Sequence, residues 1–223
     1  MKNFLIVAVT TIVGIIIGYF ILKQNNHLQF LPIINPIDVD SSMVESSLQD
    51  KGVGHVVQPF SFKDQHNQTV TNELVKGKIW VAEYFFTTCQ SICPVMNQEM
   101  MNVQKAFKND DKVKILSFTV DPEIDTPEKL NDYAKNHHAD ENQWYFLTGK
   151  KEELYAFARQ SIFVLKPAEA SNLGDAGSDF IHTNNFVLID GQGRIRGYYD
   201  GTNSDEVKQL ITDIRTLKNE EEN

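Results

Sequence analysis

A chain of 223 residues, 41 % of them apolar, can bury one core of ordinary size and has no surplus for a second. Its 30 Asp and Glu outnumber 21 Lys and Arg, leaving a net charge of −9. That balance argues against nucleic acid and anionic lipid as electrostatic partners and suits a basic protein partner or plain solubility.

The first element is an uncharged apolar run, Phe4 to Leu22, closed by Lys2 and Lys23. Nineteen helical residues span about 28 Å, close to the roughly 30 Å of a bilayer core. No small-x-small cleavage site follows, and no cysteine stands near for lipid attachment. The run reads as an uncleaved, single-pass anchor, and Gly14 and Gly18 form a small pair on which two such helices can touch. Lys2 on one side and only Lys23 on the other place the amino terminus inside and the rest of the chain outside. At a bacterial inner (cytoplasmic) membrane, outside means the oxidising periplasmic space.

Residues 24–58, with Pro32, Pro36, Gly52 and Gly54 among Ser and Asn, read as a tether with short strands near Phe30–Ile34 and His55–Val57. The globular domain is expected over 59–217. It opens with a hairpin: Phe60 and Phe62 alternate, Asp64 to Asn67 turn, and Thr69 and Val70 return. A short helix at Asn72–Lys76 is stopped by Gly77. Ile79 to Phe86 is then an apolar run, read as a buried strand. It feeds directly into Thr87-Thr88-Cys89-Gln90-Ser91-Ile92-Cys93-Pro94, which holds both cysteines of the chain. Pro94 suits a first helical turn. Met96, Met100, Val103 and Phe107 recur at helical spacing, so these methionines read as core packing.

Val113 to Val120 is a second apolar strand. Thr126, Pro127 and Glu128 are a cap, a first-position proline and a first-turn acid, starting a helix to about Asn136. Trp144–Leu147 is a strand and Glu152–Gln160 a helix. Lys166–Asp179 is a polar, Gly-containing loop. Asn185–Ile189 and Arg194–Tyr199 flank a turn at Asp190–Gly193. Ser204 caps a last helix to about Leu217, and 218–223 read as a frayed acidic tail.

Helices alternating with strands, then a hairpin and a helix, describe an α/β sheet flanked by helices with an antiparallel edge. A cysteine pair at the head of the first crossover helix is a thioredoxin-like plan. Ligands of such sheets bind beyond the carboxyl ends of the strands. The cysteine corner, the Asp121–Asp125 loop and the Lys166–Thr183 loop should therefore share one end. Free N–H groups and the helix dipole at that corner favour thiolate. In a helical segment, a Cys-x3-Cys pair rises about 6 Å. That suits a disulfide or two sulfurs converging on one metal, and leaves structural, redox and metal roles open. Asp121 and Asp125 read either as loop-ordering residues or as a partner-docking surface.

Four stretches stand in order: Phe85-Phe86-Thr87-Thr88-Cys89-x3-Cys93-Pro94; Val120-Asp121-Pro122-Glu123-x-Asp125-Thr126-Pro127; Thr148-Gly149; and Ile181-His182-Thr183 ahead of Phe186-Val187-Leu188-Ile189-Asp190. Together they resemble the Sco/SenC family over about 60–217. Each motif is modest alone, but the set in this order is specific. The resemblance implies a thioredoxin-like fold and a membrane-anchored copper chaperone. It implies delivery of copper, taken from a donor protein, to the binuclear copper site of cytochrome c oxidase subunit II. It also implies Cys89, Cys93 and His182 as copper ligands. The family is credited with thiol-disulfide reduction too, which would make Cys89 and Cys93 a catalytic pair. Thr183 departs from the Ser expected after the histidine.

The residues agree with that implication. Two thiolates suit Cu(I), and an added imidazole suits Cu(II), while zinc would want a fourth ligand. His182 lies just before a strand, where thioredoxin-like proteins usually present a cis-proline to the cysteines. No proline follows Pro167 here. An ordinary disulfide oxidoreductase would lack its signature residue there. A peroxidase-like use, with Cys89 attacking and Cys93 resolving, finds no activating Arg beside Cys89. His27, His55 and His66 fall in tether or turn, and the pair His137-His138 ends a helix, a structural place.

Overall fold

A computed structural model describes residue 14, residues 30–44, residue 48, and residues 52–164 and 183–222. A small hairpin, β1 (Ser61–Lys63) and β2 (Thr69–Thr71), precedes a five-stranded sheet. The sheet strands are β3 (Ile79–Phe85), β4 (Val113–Thr119), β5 (Trp144–Leu147), β6 (Asn185–Ile189) and β7 (Ile195–Asp200), in the order β5-β4-β3-β6-β7. Strands β3, β4 and β5 are parallel, and β6 and β7 complete the sheet antiparallel. Among the described residues, four helices flank it: α1 (Cys93–Ala106), α2 (Pro127–Asn136), α3 (Lys151–Gln160) and α4 (Ser204–Glu221). Every residue of β3 and β4 is buried, the burial on both faces that continuous apolar runs encode.

The pleat of β3 divides the core. Ile79, Val81 and Phe85 face α1, α2 and α4 and pack with Met96, Met100, Leu130 and Leu210. Trp80, Ala82 and Tyr84 face the hairpin and α3 and pack with Phe60, Phe62, Phe118 and Phe157. The Thr148-Gly149 motif joins hairpin to sheet. Lys63 and Thr148 exchange backbone hydrogen bonds of 2.8 Å in each direction. The Phe62 ring lies so close to Gly149 that a Cβ there would come within 2.8 Å of it.

Helix starts follow the expected chemistry with one correction. Thr126 caps α2 by accepting from the Lys129 amide, with Pro127 in the first turn. Helix α4 is capped by Asn203, which accepts from the Asp205 amide, so Ser204 is the first helical residue rather than the cap. Nor does α4 end near Leu217. It runs to Glu221, and the expected frayed tail is tied down: the Glu220 carboxylate accepts from the Leu31 amide (2.6 Å), Glu221 accepts from the Gly191 amide (2.9 Å), and Lys218 pairs with Asp110.

The described part of the expected tether also lies against the domain. Ile34 makes one bridge to Ile195 instead of a strand. The Val57 amide donates to the Gly193 carbonyl at 2.8 Å. Arg196 donates to the carbonyls of Leu31 and Pro32. The Asn35 side chain accepts from the amides of Gly54 (2.8 Å) and His55 (3.2 Å), holding the two pieces side by side. No helix among the described residues is long and apolar enough to cross a membrane. The Phe4–Leu22 run lies outside them, apart from Gly14.

Candidate metal and redox centre

The two cysteines sit where β3 passes into α1. Thr87 and Thr88 turn the chain, and the Cys89 amide donates to the Phe86 carbonyl at 3.2 Å. Cys93 opens the helix with Pro94 behind it, and no side chain caps this start. Pro94 carries no N–H and the Val95 amide already donates to the Ile92 carbonyl at 3.0 Å, so the Cys93 amide is the first-turn donor that serves Cys89. Both cysteines are free thiols; Cys93 is buried and Cys89 half-buried.

Their environments push them apart. Burial alone would raise the Cys89 thiol. The Ser91 hydroxyl, the backbone N–H groups of Cys93 and Ser91, and the Cys93 thiol outweigh that and bring it down to about 7. Burial pushes Cys93 up to about 12, against a bond from the Phe86 backbone and helped by negative charge on Cys89 and Glu83. The helix start therefore favours thiolate at Cys89, while desolvation wins at Cys93. One sulfur is an available nucleophile or soft ligand near neutral pH; the other holds its proton until something replaces it.

Asp125 orders the approach to the pair. It is fully buried and accepts from the Thr87 amide at 3.2 Å and from the hydroxyls of Thr87 and Thr119. A carboxylate with no exposed surface cannot meet a partner, so the docking role expected of Asp125 gives way to its loop-ordering role. Asp121 is half-buried, and its amide donates to Thr119 Oγ1.

His182 lies outside the described residues, as does the loop expected at Lys166–Asp179. The register is informative nonetheless. Val187 sits opposite Ala82 and Ile189 opposite Trp80, so β6 begins at the cysteine end of β3. Thr183, two residues before β6, is buried and accepts from the Asn185 amide. Among the described residues, no three His, Cys, Asp or Glu side chains converge on a metal position. His55 bonds the Ser161 carbonyl, His66 approaches Glu141, and His137 packs on Tyr133. Met96 and Met100 are core residues.

Sequence reading passed over Glu83. It lies in β3 between Val81 and Phe85 and is 1 % exposed. Ser117 donates to its Oε1, and the Trp144 indole N–H donates to Ser117 in turn. Burial, opposed by the Ser117 bond, pushes the Glu83 carboxyl up to about 7. Its Oε2 and the nearby core atom Asn97 Oδ1 have no partner among the described residues. The signal was present: one acid in an otherwise apolar run of eight.

These features meet a known family. A family model described as SCO1/SenC matches residues 49–219. The chain belongs to the SCO1/SenC family. It is 34 % identical to the SCO1 protein homolog of Bacillus subtilis over 166 residues, covering 74 % of this chain and 83 % of that protein. Its fold matches BsSco, described as a Sco-family cytochrome c oxidase assembly protein with a disulfide switch, at a TM-score of 0.62 and 33 % identity, covering 74 % of this chain and 94 % of that one. The copper-bound ScoI of Bradyrhizobium japonicum shares the fold at a TM-score of 0.55 and 23 % identity, covering 73 % of this chain and 99 % of that one. The fold is accordingly the thioredoxin-like α/β plan of Sco proteins.

Proposed function

We propose that this protein is a membrane-anchored copper chaperone that supplies the binuclear copper site of cytochrome c oxidase subunit II. Cys89 and Cys93 hold the ion as thiolates and His182 completes the site. The observation that carries the reading is the thiol pair at the strand-to-helix corner, with β6 starting at the same end of the sheet. Two thiolates match Cu(I), and the imidazole adds what the borderline Cu(II) ion needs. Membership of a family with a copper-bound relative and an oxidase-assembly relative points the same way. Cys89 offers the first thiolate. Binding at Cys93 displaces its proton, so uptake should strengthen as pH rises. Transfer to the partner proceeds by exchange of sulfur ligands, and the half-buried Asp121 beside this edge is a docking candidate.

The same split in the two thiols supports a second reading, a thiol-disulfide reductase that keeps the partner's copper-site cysteines reduced. There Cys89 attacks the partner disulfide and Cys93 resolves the mixed disulfide, leaving the partner as a dithiol and this protein oxidised. Copper loading separates the two. Reduced protein should bind one copper ion and show a thiolate-to-copper charge-transfer band with Cu(II), and oxidised protein should bind none. His182→Ala should keep Cu(I), lose much of its Cu(II) binding and fail in oxidase assembly. Assembly supported by His182→Ala at normal protein level would leave the reductase standing.

A further inference from the structure

At the end of the domain opposite the cysteines, exposed apolar side chains gather on the amino-terminal strap, beside charged pairs such as Lys76–Glu73 and Lys112–Glu222. Strand β3 leads from Gly77 to the cysteine corner, and its seven residues cover about 20 Å. At its start the Gly77 amide donates to the Gly191 carbonyl in the β6–β7 turn. The two pieces of the amino-terminal strap converge on that turn. Ile34 pairs with Ile195, Val57 with Gly193, and Asn35 clasps Gly54 and His55. On this strap Phe30 is 71 % exposed, Ile37 66 % and Val53 79 %, with Ile33 and Val56 also open. Among the described residues, only Val95 and Ile124 are comparably exposed large apolar side chains elsewhere, so exposed apolar surface is concentrated here.

We propose that this strap rests on the lipid interface, with Phe30, Ile33, Ile37, Val53 and Val56 as its contacts and the cysteines held at the far side. The inference rests on reading Phe4–Leu22 as an anchor. Residues 23–29 separate that run from Phe30 and reach at most about 25 Å when extended. The strap is therefore the part of the domain the anchor keeps nearest the bilayer, at a high effective concentration. A second copy is the other candidate occupant, but that short leash supplies lipid to every copy whether or not another chain is near. With a net charge of −9 the contact cannot be an attraction to anionic headgroups; it is apolar insertion, which zwitterionic lipid serves equally well. Its consequence is orientation: Cys89 and Cys93 would face away from the membrane, at least about 20 Å above the strap, instead of sweeping all angles.

The test uses the full chain in phosphatidylcholine vesicles, with a fluorescent donor on Cys89 and an acceptor on lipid headgroups. Energy transfer should be low and unchanged by salt. It should rise in the triple variant Ile37→Asp, Val53→Asp, Val56→Asp, and in the matching serine variant, because a released domain lets Cys89 approach the bilayer. These side chains are exposed, so an unchanged circular dichroism spectrum is expected of both variants. Transfer equal in wild type and variants would overturn the docking. So would transfer between labelled chains that grows with protein-to-lipid ratio and disappears in the variants, since the strap would then bind a second copy. Failure of the wild-type chain to float with vesicles would instead overturn the anchor reading.

Discussion

The two faces of β3 differ in how completely they satisfy their polar groups. Toward the hairpin and α3, aromatic rings interlock around Phe118, which meets Phe60, Phe62, Tyr84 and Phe157 at centroid distances of 5.1 to 6.1 Å. The polar tips there are bonded: the Tyr84 hydroxyl donates to the Leu154 carbonyl and the Tyr155 hydroxyl to that of Val120. Toward α1 and α2, the same strand buries Glu83 beneath a helix that begins with Cys93, and Glu83 Oε2 and Asn97 Oδ1 lack partners among the described residues. One face is built for stability. The other gives up some stability to keep polar and titratable groups under the cysteines, as functional sites commonly do.

The largest effect should come from breaking the dry face. Phe118→Ala removes the ring at the centre of the cluster, leaving a cavity that rigid aromatic neighbours fill poorly. A loss of about 3–5 kcal/mol is expected in urea unfolding. The copper stoichiometry of the protein that remains folded should not change, because Phe118 faces away from the cysteines. A loss below about 1 kcal/mol would mean that this face is not where stability is concentrated.

Next in size is Glu83. Its folded-state carboxyl titrates near 7, against an ordinary value of 4.5, because burial disfavours the charge. Below the ordinary value both folded and unfolded states carry the proton, and nothing is lost. As pH rises from there toward 7, the unfolded chain releases its proton while the folded one keeps it, so stability falls and then levels off. The total penalty is about 3 kcal/mol. Glu83→Gln should remove that slope and make the protein more stable at pH 8 while changing little at pH 4. A wild-type slope of the opposite sign between pH 5 and 7, traceable to Glu83, would show that the carboxylate is stabilised rather than desolvated.

What the sequence disclosed follows the same division. Strands Trp144–Leu147 and Asn185–Ile189 and the end of α2 at Asn136 stand where pattern and punctuation place them, because apolar runs and caps are local signals. The cap of α4 lies one residue before its expected place at Ser204, since the neighbouring Asn203 is as good a cap and backbone geometry chose it. The strap was illegible for a physical reason: it is held by Arg196, Glu220 and Gly193, which lie more than 130 residues away in the chain and carry no local mark of that duty. At the site, the cysteine pair was plain from spacing and from the proline behind it. The division between a thiolate and a thiol was not, because it depends on which sulfur the helix covers. Asp125 could be read two ways until its burial decided between them.

The smallest of these effects tests whether the cysteine corner owes its order to the core or to one carboxylate. Asp125 bridges the Thr87 amide, the Thr87 hydroxyl and the Thr119 hydroxyl, joining the loop before Cys89 to the end of β4. Asp125→Asn keeps the size and one acceptor oxygen but loses the charge and aims an amide N–H₂ group at neighbours that donate. The Thr119 hydroxyl can rotate to accept from it, and the Thr87 amide, which lies within reach of both carboxylate oxygens, keeps the oxygen that remains. The bonds to the loop persist without their charge assistance, a cost of about 1–2 kcal/mol. That modest global change should come with a much larger local one. Hydrogen exchange at Thr87 should accelerate well beyond what the fall in global stability explains, while exchange at Val81 and Leu116 in the sheet follows the global change alone. Equal acceleration at all three sites would mean that the corner opens only with the whole domain, and that the packing of β3 and α1 suffices to place Cys89.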